Sequence, residues 1–311
     1  MKAKSLGCGA AVLAALLLFG PRALSAQSWT VSASSPALSY TLTGTSEATG
    51  TITIKRSSGK TASALYVVFK LVSLSSTAPS GGESLSYGLY SSSSSTTALS
   101  LTGSPTSSDQ VLSGSFASGS TTATASYAFR VSNSTFPGAG TYTAKISATV
   151  YKGTWSAGAN PSSRGSVTIT ATATVPKIAS VAVVGGAGDS YSFKSATSSP
   201  NYTLNLGSLA AGSSGSAYLL ALCNSSFSLS LSSANKGSLV CSADASSMAY
   251  TVTVDSGSTY SLNAAATIVS GASATYSTAA RHSLLVRIPS IGTNPSAGTY
   301  TDTVTVTVAA L

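Results

Sequence analysis

Charge is what this sequence has least of. Only 7% of its 311 residues are charged, with 7 acids and one histidine, His282. A single histidine excludes metal centres built from several histidines and any catalytic histidine pair. Seven acids spread thinly along the chain offer no carboxylate pair for glycoside hydrolysis. A Ser-His-Asp triad stays arithmetically open because serine is abundant, yet no G-x-S-x-G elbow is present to expose a nucleophile. His282, beside Arg281, reads as a surface or strand residue. Ser58-Gly59-Lys60-Thr61 echoes a phosphate-binding loop, but the earlier glycine that loop requires falls on Ile54, and no strand-to-helix context follows. Nucleic-acid-binding motifs are absent as well. The expectation is a non-enzymatic protein with no catalytic, cofactor-binding or metal site.

Long apolar runs are equally scarce. Beyond the N-terminus no stretch reaches the roughly 18 apolar residues of a membrane-spanning helix, so no membrane span is expected. The one early run, Ala10 to Phe19, has signal-peptide length, follows Lys2 and Lys4, and precedes a Leu24-Ser25-Ala26 cleavage site. Residues 1–26 therefore read as a signal peptide and the remainder as an exported chain. A lipobox reading of Leu6-Gly7-Cys8 fails, because that cysteine precedes the apolar run. Removing residues 1–26 leaves only Cys223 and Cys241 of the three cysteines. An even pair in an exported protein predicts one disulfide, worth about 3 kcal/mol for so short a loop. Thirteen basic residues would face 7 acids, a net charge of +6.

What is abundant is Ser, Thr, Ala, Val and Gly, alternating with period two between turn residues, and this predicts β-sheet. Thr51-Ile52-Thr53-Ile54, Phe227 to Leu231, Tyr250 to Val254 and Thr303 to Val308 are clear cases. Ala64 to Val72 is more continuously apolar, as in a strand buried on both faces or crossing between sheets. Many short strands with frequent turns mean sandwich or barrel. Serine runs such as Ser91–Ser95 lie between such strands, so ordered polar segments are expected there.

About 285 residues after the signal peptide favour two domains. A duplication supports this. Pro137-Gly138-Ala139-Gly140-Thr141-Tyr142-Thr143 matches Pro295-Ser296-Ala297-Gly298-Thr299-Tyr300-Thr301 at an offset of 158, and Tyr40-Thr41-Leu42 matches Tyr202-Thr203-Leu204 at 162. The expected domains are 27–175 and 176–311. After the Tyr142 strand, Gly165 to Val175 supplies another alternating segment, whereas nothing follows Leu311 after the Tyr300 strand. If the two share a topology, the second sandwich lacks its last strand, leaving an open edge and an uncovered core. The alternative is that Gly165–Val175 is a linker and the last strand an ordinary edge.

The second half resembles the spore coat protein U-like domain family, found in pilins of archaic chaperone–usher fimbriae. The matching pieces are LGSLAAGSSGSAYLLALCNSSFSLSLSSANKGSLV (206–240), MAYTVTV (248–254) and LLVRIPSIGTNPSAGTYTDTVTVTVAAL (284–311). The first half shares only its PGAGTYT strand. The resemblance implies an all-β chain of two immunoglobulin-like sandwiches, the C-terminal one without its last strand. It implies that a periplasmic chaperone lends a strand, and that a neighbouring pilin subunit replaces it with the help of an outer-membrane usher. It places Gly298, Tyr300, Val304, Val306 and Val308 along the donor-strand groove, with Asp302, of the same parity, at its rim. The segment 178–193 lacks the cysteine common near the start of single-domain members.

An extra domain ahead of a pilin domain looks like a fimbrial tip adhesin, binding a receptor or abiotic surface through residues 27–175. One alternative is a structural coat or fibre subunit, whose Trp29–Ala33 segment would insert into another copy. A periplasmic pilus chaperone is the other. Lys55, Arg56 and Lys60 cluster on an expected hairpin tip, a possible surface contact whose plain reading is a solvated turn. Asn133-Ser134-Thr135, Asn201-Tyr202-Thr203 and Asn224-Ser225-Ser226 match glycosylation sequons, as chance readily allows in a Ser/Thr-rich chain.

Overall fold

Alternation becomes strand pairing almost throughout. The computed structural model describes residues 29–59, 61–78, 84–133, 135–192, 201–293 and 295–311. The expected signal peptide, residues 1–26, lies outside them. The first nine strands are β1 (Trp29–Ala33), β2 (Ala37–Ser39), β3 (Ser46–Arg56), β4 (Ser63–Ser76), β5 (Tyr87–Tyr90), β6 (Leu112–Phe116), β7 (Thr122–Val131), β8 (Gly140–Lys152) and β9 (Ser163–Val175). Then come β10 (Ala179–Val184), β11 (Ser214–Cys223), β12 (Phe227–Ser233), β13 (Ser238–Cys241), β14 (Ser247–Ala249) and β15 (Thr251–Val254). The last are β16 (Thr259–Tyr260), β17 (Ala266–Ala272), β18 (Ala280–Arg287), β19 (Tyr300–Thr301) and β20 (Val304–Ala310). A single 3-10 turn, Ser108–Gln110, is the helical content of the described residues. The chain is all-β, as its composition implies. Among the described residues no helix is long and apolar enough to cross a membrane.

Two sheets enclose the first core, in the orders β1-β3-β7-β5 and β2-β9-β8-β4-β6. Their inward positions are the apolar half of each alternation. Ile52 and Ile54 of β3 and Ile146, Ala148 and Val150 of β8 are all fully buried. Burying each aliphatic side chain of the valine or isoleucine kind contributes about 1.5–3 kcal/mol. The continuously apolar segment behaves as its pattern implies. Leu65, Val67 and Phe69 of β4 enter the main core, while Tyr66 and Val68 on its other face pack with Val111, Tyr151 and Trp155. Opposite Tyr127 in the register stands Gly50. A Cβ there would lie 2.2 Å from the tyrosine ring, so the missing side chain is the seat that lets Tyr127 donate to the Ser34 carbonyl at 2.8 Å.

A short link, residues 176–178, leads into the second set of sheets: β10-β11-β18-β15-β16, β17-β12-β20 and β14-β13-β19. The order of the first half recurs. β10-β11-β18-β15 repeats β1-β3-β7-β5, and β20-β12-β17 repeats β8-β4-β6. The repeated tyrosine is held identically in both halves. Tyr142 donates to the Gly138 carbonyl at 3.0 Å and Tyr300 to the Ser296 carbonyl at 3.0 Å. The strands that cover β8 from outside, β9 and then β2, have no counterpart beside β20 among the described residues.

Candidate functional site

β8 and β20 are the same strand in two surroundings. β8 pairs β4 on one side and β9 on the other. β20 pairs β12 alone, so its outer row of amides and carbonyls meets no strand among the described residues. The motif offset of 158 sets Ile146, Ala148 and Val150 against Val304, Val306 and Val308. The first three are 0% exposed; Val304 is 37% exposed, and Val306 and Val308 are half-buried against the core. β10, the edge of the facing sheet, runs close to β20. It turns Ala179, Val181 and Val183, all partly buried, toward the same core. Among the described residues, the first core has 25 buried and 10 partly buried apolar members. The second has 12 and 16. The proportions invert, and Val181, Val183, Val306 and Val308 are among the partly buried members.

The structure divides the other residues expected along this groove. Tyr300 lies in β19, paired with Cys241 in a different sheet. Gly298 precedes it, and a Cβ at Gly298 would stand 2.6 Å from the Cys241 Sγ; this glycine makes room for a thiol. Asp302 breaks the strand between β19 and β20. Its Oδ1 accepts the Asn235 and Thr303 amides at 3.0 and 2.7 Å, and its Oδ2 accepts the Ser233 and Tyr250 hydroxyls, both at 2.5 Å. Asp302 is thus satisfied within its own sandwich and is not an open rim. Burial first, and then this bond, pushes the Tyr250 phenol well above its ordinary range. The wall made by β10 was missed in the sequence, although the alternation IASVAVV (178–184) is there to be read.

Several expectations are corrected. Cys223 and Cys241 are separate buried thiols. Cys223 closes β11 beside Ala179, near the turn into β12, whose first residue pairs Ala310. Cys241 pairs Tyr300, beyond the other end of β20. The 7 residues of β20, roughly 20 Å of strand, separate the two levels. No disulfide spans that. Burial pushes the Cys223 thiol up to about 11.

Arg56 is no surface contact either, being 6% exposed. Its guanidinium lies 4.2 Å over the Phe116 ring and donates to the Ser120 and Thr61 carbonyls and the Ser63 hydroxyl. The expected hairpin is a crossing between sheets, since β3 and β4 belong to different ones. Lys55 is exposed; Lys60 lies outside the described residues. Trp29–Ala33 is strand β1, paired along β3, with Trp29 edge-on to Phe116 at 5.2 Å.

The one histidine does meet an acid. His282 Nδ1 lies 2.7 Å from the Asp255 carboxylate, but its buried Nε2 has no partner, so no nucleophile completes a triad among the described residues. No cluster of three potential metal ligands occurs among them. Desolvation would raise the Asp255 carboxyl, yet the bonds from His282 and the Ser283 amide outweigh it and hold the group below the usual range. Asp244, bonded first by the Ser296 hydroxyl and then by Ser246, is held down to about 2. A carboxylate depressed in the folded state stabilises above its unfolded value, about 3.9, and loses that contribution as pH falls through the folded value. Melting temperature is therefore expected to drop between about pH 4 and 2, and less steeply in Asp244→Asn, as measured by thermal unfolding across that range. An unchanged slope in the variant would show that Ser296 is not held through Asp244.

Residues 190–307 match the family model of the Spore Coat Protein U domain. No curated protein matches the chain in sequence. Among solved structures, the chain is similar to the CsuC–CsuE chaperone–tip adhesion subunit pre-assembly complex from archaic chaperone–usher Csu pili of Acinetobacter baumannii. The identity is 14% and the TM-score 0.47, covering 90% of this chain and 99% of that one. The CupB6 tip adhesin of Pseudomonas aeruginosa follows at 10% identity and TM-score 0.34, over 91% and 94% of the two chains. The CFA/I adhesin CfaE of enterotoxigenic E. coli has 12% identity and TM-score 0.35, over 90% and 81%.

Proposed function

We propose that this chain, which carries a Spore Coat Protein U domain at residues 190–307, is an exported fimbrial subunit of the chaperone–usher type. Its C-terminal part, 176–311, joins the fibre by accepting a strand along β20, and its N-terminal part, 27–175, makes the attachment to a receptor or surface. One observation carries the reading. Among the described residues the outer edge of β20 is unpaired over half-covered Val306 and Val308, where the matching edge of β8 is closed by β9. An incoming strand gains backbone hydrogen bonds along the edge and buries every second side chain, so pairing gives affinity and the alternate pockets give specificity. An edge left bare would also invite unwanted pairing. A chaperone strand in transit and a neighbouring subunit's strand in the fibre both answer that need.

The other end of the chain supports a place at the fibre tip. A coat or shaft subunit would use Trp29–Ala33 as its donor, yet that segment is already paired to β3 and its tryptophan is buried. A subunit that accepts a strand, and whose Trp29–Ala33 segment is already in use, fits a tip. A periplasmic chaperone would be complete by itself and would donate, which the open β20 edge disfavours.

The test is a titration of the purified protein with a synthetic peptide of about ten alternating apolar residues, followed by native mass spectrometry. One peptide per chain is expected. Val306→Asp or Val308→Asp should abolish binding, while Thr305→Asp, on the exposed face, should leave it intact. Equal binding by all three variants would end the strand-accepting reading.

A further inference from the structure

The N-terminal sandwich contains a cleft of about 500 Å³ where β5 and β7 meet the loop after β5, within the range of about 300–1,000 Å³ usual for small-molecule sites. Its construction is unusual for so serine-rich a chain. Arg130 of β7 bonds Glu47 of β3 through Nε at 2.5 Å and stacks 4.2 Å over the Tyr90 ring. Three more of its N–H groups are donated to the carbonyls of Ser95 at 2.6 Å, Ser92 at 2.9 Å and Ser93. A single guanidinium thus gathers the Ser91–Ser95 run into one wall of the cleft. Preorganising a flexible loop in this way removes an ordering cost that a ligand would otherwise meet.

The groups left over define what could enter. The positive charge of Arg130 is matched by Glu47, and four of its five N–H groups are donated, so the cleft offers an anion a single N–H and no net positive charge. Ser and Thr hydroxyls dominate the lining, with Val131 its sole aliphatic side chain, so an apolar ligand gains little. What remains without a partner among the described residues is the second oxygen of Glu47 and the hydroxyls of Tyr87 and Tyr90. Tyr87 also packs on Phe129, and burial raises its phenol above the ordinary value. A carboxylate acceptor, two phenols and a ring of rotatable hydroxyls match a neutral ligand rich in vicinal hydroxyls, whose C–H faces can lie on tyrosine.

We propose that this cleft binds a neutral saccharide. Glu47 accepts from adjacent sugar hydroxyls, Tyr87 and Tyr90 supply stacking and a donor each, and the serine wall closes over the exposed side. The inference rests on the attachment role proposed above for the N-terminal part, and names its ligand class.

The test uses the full-length protein and ligand-detected NMR with a panel of neutral mono- to trisaccharides built from glucose, galactose, mannose and N-acetylglucosamine, with sialic acid as the anionic control. At least one neutral sugar is expected to bind, with affinity insensitive to salt and no signal from sialic acid. Glu47→Gln and Tyr87→Phe should each weaken binding about tenfold, the loss of one hydrogen bond to a charged or buried partner, and in Tyr87→Phe, which leaves the Arg130–Glu47 pair intact, the thermal unfolding curve stays in place. Absence of binding across the panel, or binding that both variants leave unchanged, overturns the saccharide cleft. If the protein then still coats a surface, the attachment role survives without it. If sugars bind but the protein attaches to no surface, the cleft survives and the attachment role does not.

Discussion

Fusing an alternating apolar strand behind Leu311 through a flexible linker is expected to raise the melting temperature of the C-terminal sandwich by about 10 °C or more. The gain comes from two sources. Val181 and Val183 on β10 and Val306 and Val308 on β20 complete their burial, and the new strand buries its own inward face. At about 25 cal/mol per Å² of apolar area, a net gain of a few kcal/mol shifts a sandwich of this size by that much. Tethering matters, since a linked strand avoids most of the cost of association. The N-terminal sandwich is the internal control. Its β8 already has β9, so an added strand finds no open edge there. A fused strand whose inward positions are serine should not stabilise either. Equal melting with and without the apolar strand would mean that the C-terminal sandwich is complete and its bare edge ordinary.

The converse locates the same physics in the first half. Ile169 of β9 is fully buried opposite Ile146. Ile169→Asp places an unpaired carboxylate in that core and should expose in β8 the stripe that β20 shows natively.

How much of this was legible in the sequence differs by the range of the interaction. Alternation is local, so strands such as Ile52–Ile54 and the two-faced β4 could be read directly. The duplicated Gly-Thr-Tyr strand was equally plain, because it rests on one local device used twice, the tyrosine bonded four residues back. Long-range placement was not. Arg56 read as a charged tip, because nothing near it in sequence reveals that carbonyls 61 and 120 and the Phe116 ring converge on it. Arg130 gave no signal at all, since its ion pair lies 83 positions away. The cysteines obeyed a counting rule that carries no geometry, and the structure sets them at opposite ends of β20. Asp302 had the parity of a groove residue; its bonds to Ser233 at the end of β12, to Asn235 in the turn after it, to Tyr250 and to the Thr303 amide decide where it points.

Asn224 is where the second largest effect is expected, and it looked in the sequence like a glycosylation sequon. It is fully buried, which excludes a glycan there in the folded chain. Its Oδ1 accepts the Ile178 amide at 2.7 Å, and its Nδ2 donates to the Pro137 carbonyl at 3.2 Å and the Pro176 carbonyl at 2.9 Å. Its main chain bonds Ile178 at 3.1 Å and Ala139 at 2.9 Å. One side chain therefore fastens the first copy of the duplicated motif, the link at 176–178 and the C-terminal sandwich to each other. Asn224→Ala orphans one buried and two partly buried backbone groups, at about 1–3 kcal/mol for the buried one and less for the others. Asn224→Asp should be worse, because it turns a carboxylate toward two carbonyl oxygens that need donors. The expected result is a loss of about 3–5 kcal/mol at the junction. It should appear as rapid proteolytic cleavage near residues 176–178 and as two calorimetric transitions replacing a shared one. Both sandwiches should remain folded, since the amide of Asn224 lies outside either core. A variant that melts as one unit with an intact link would show that the two halves are fastened elsewhere.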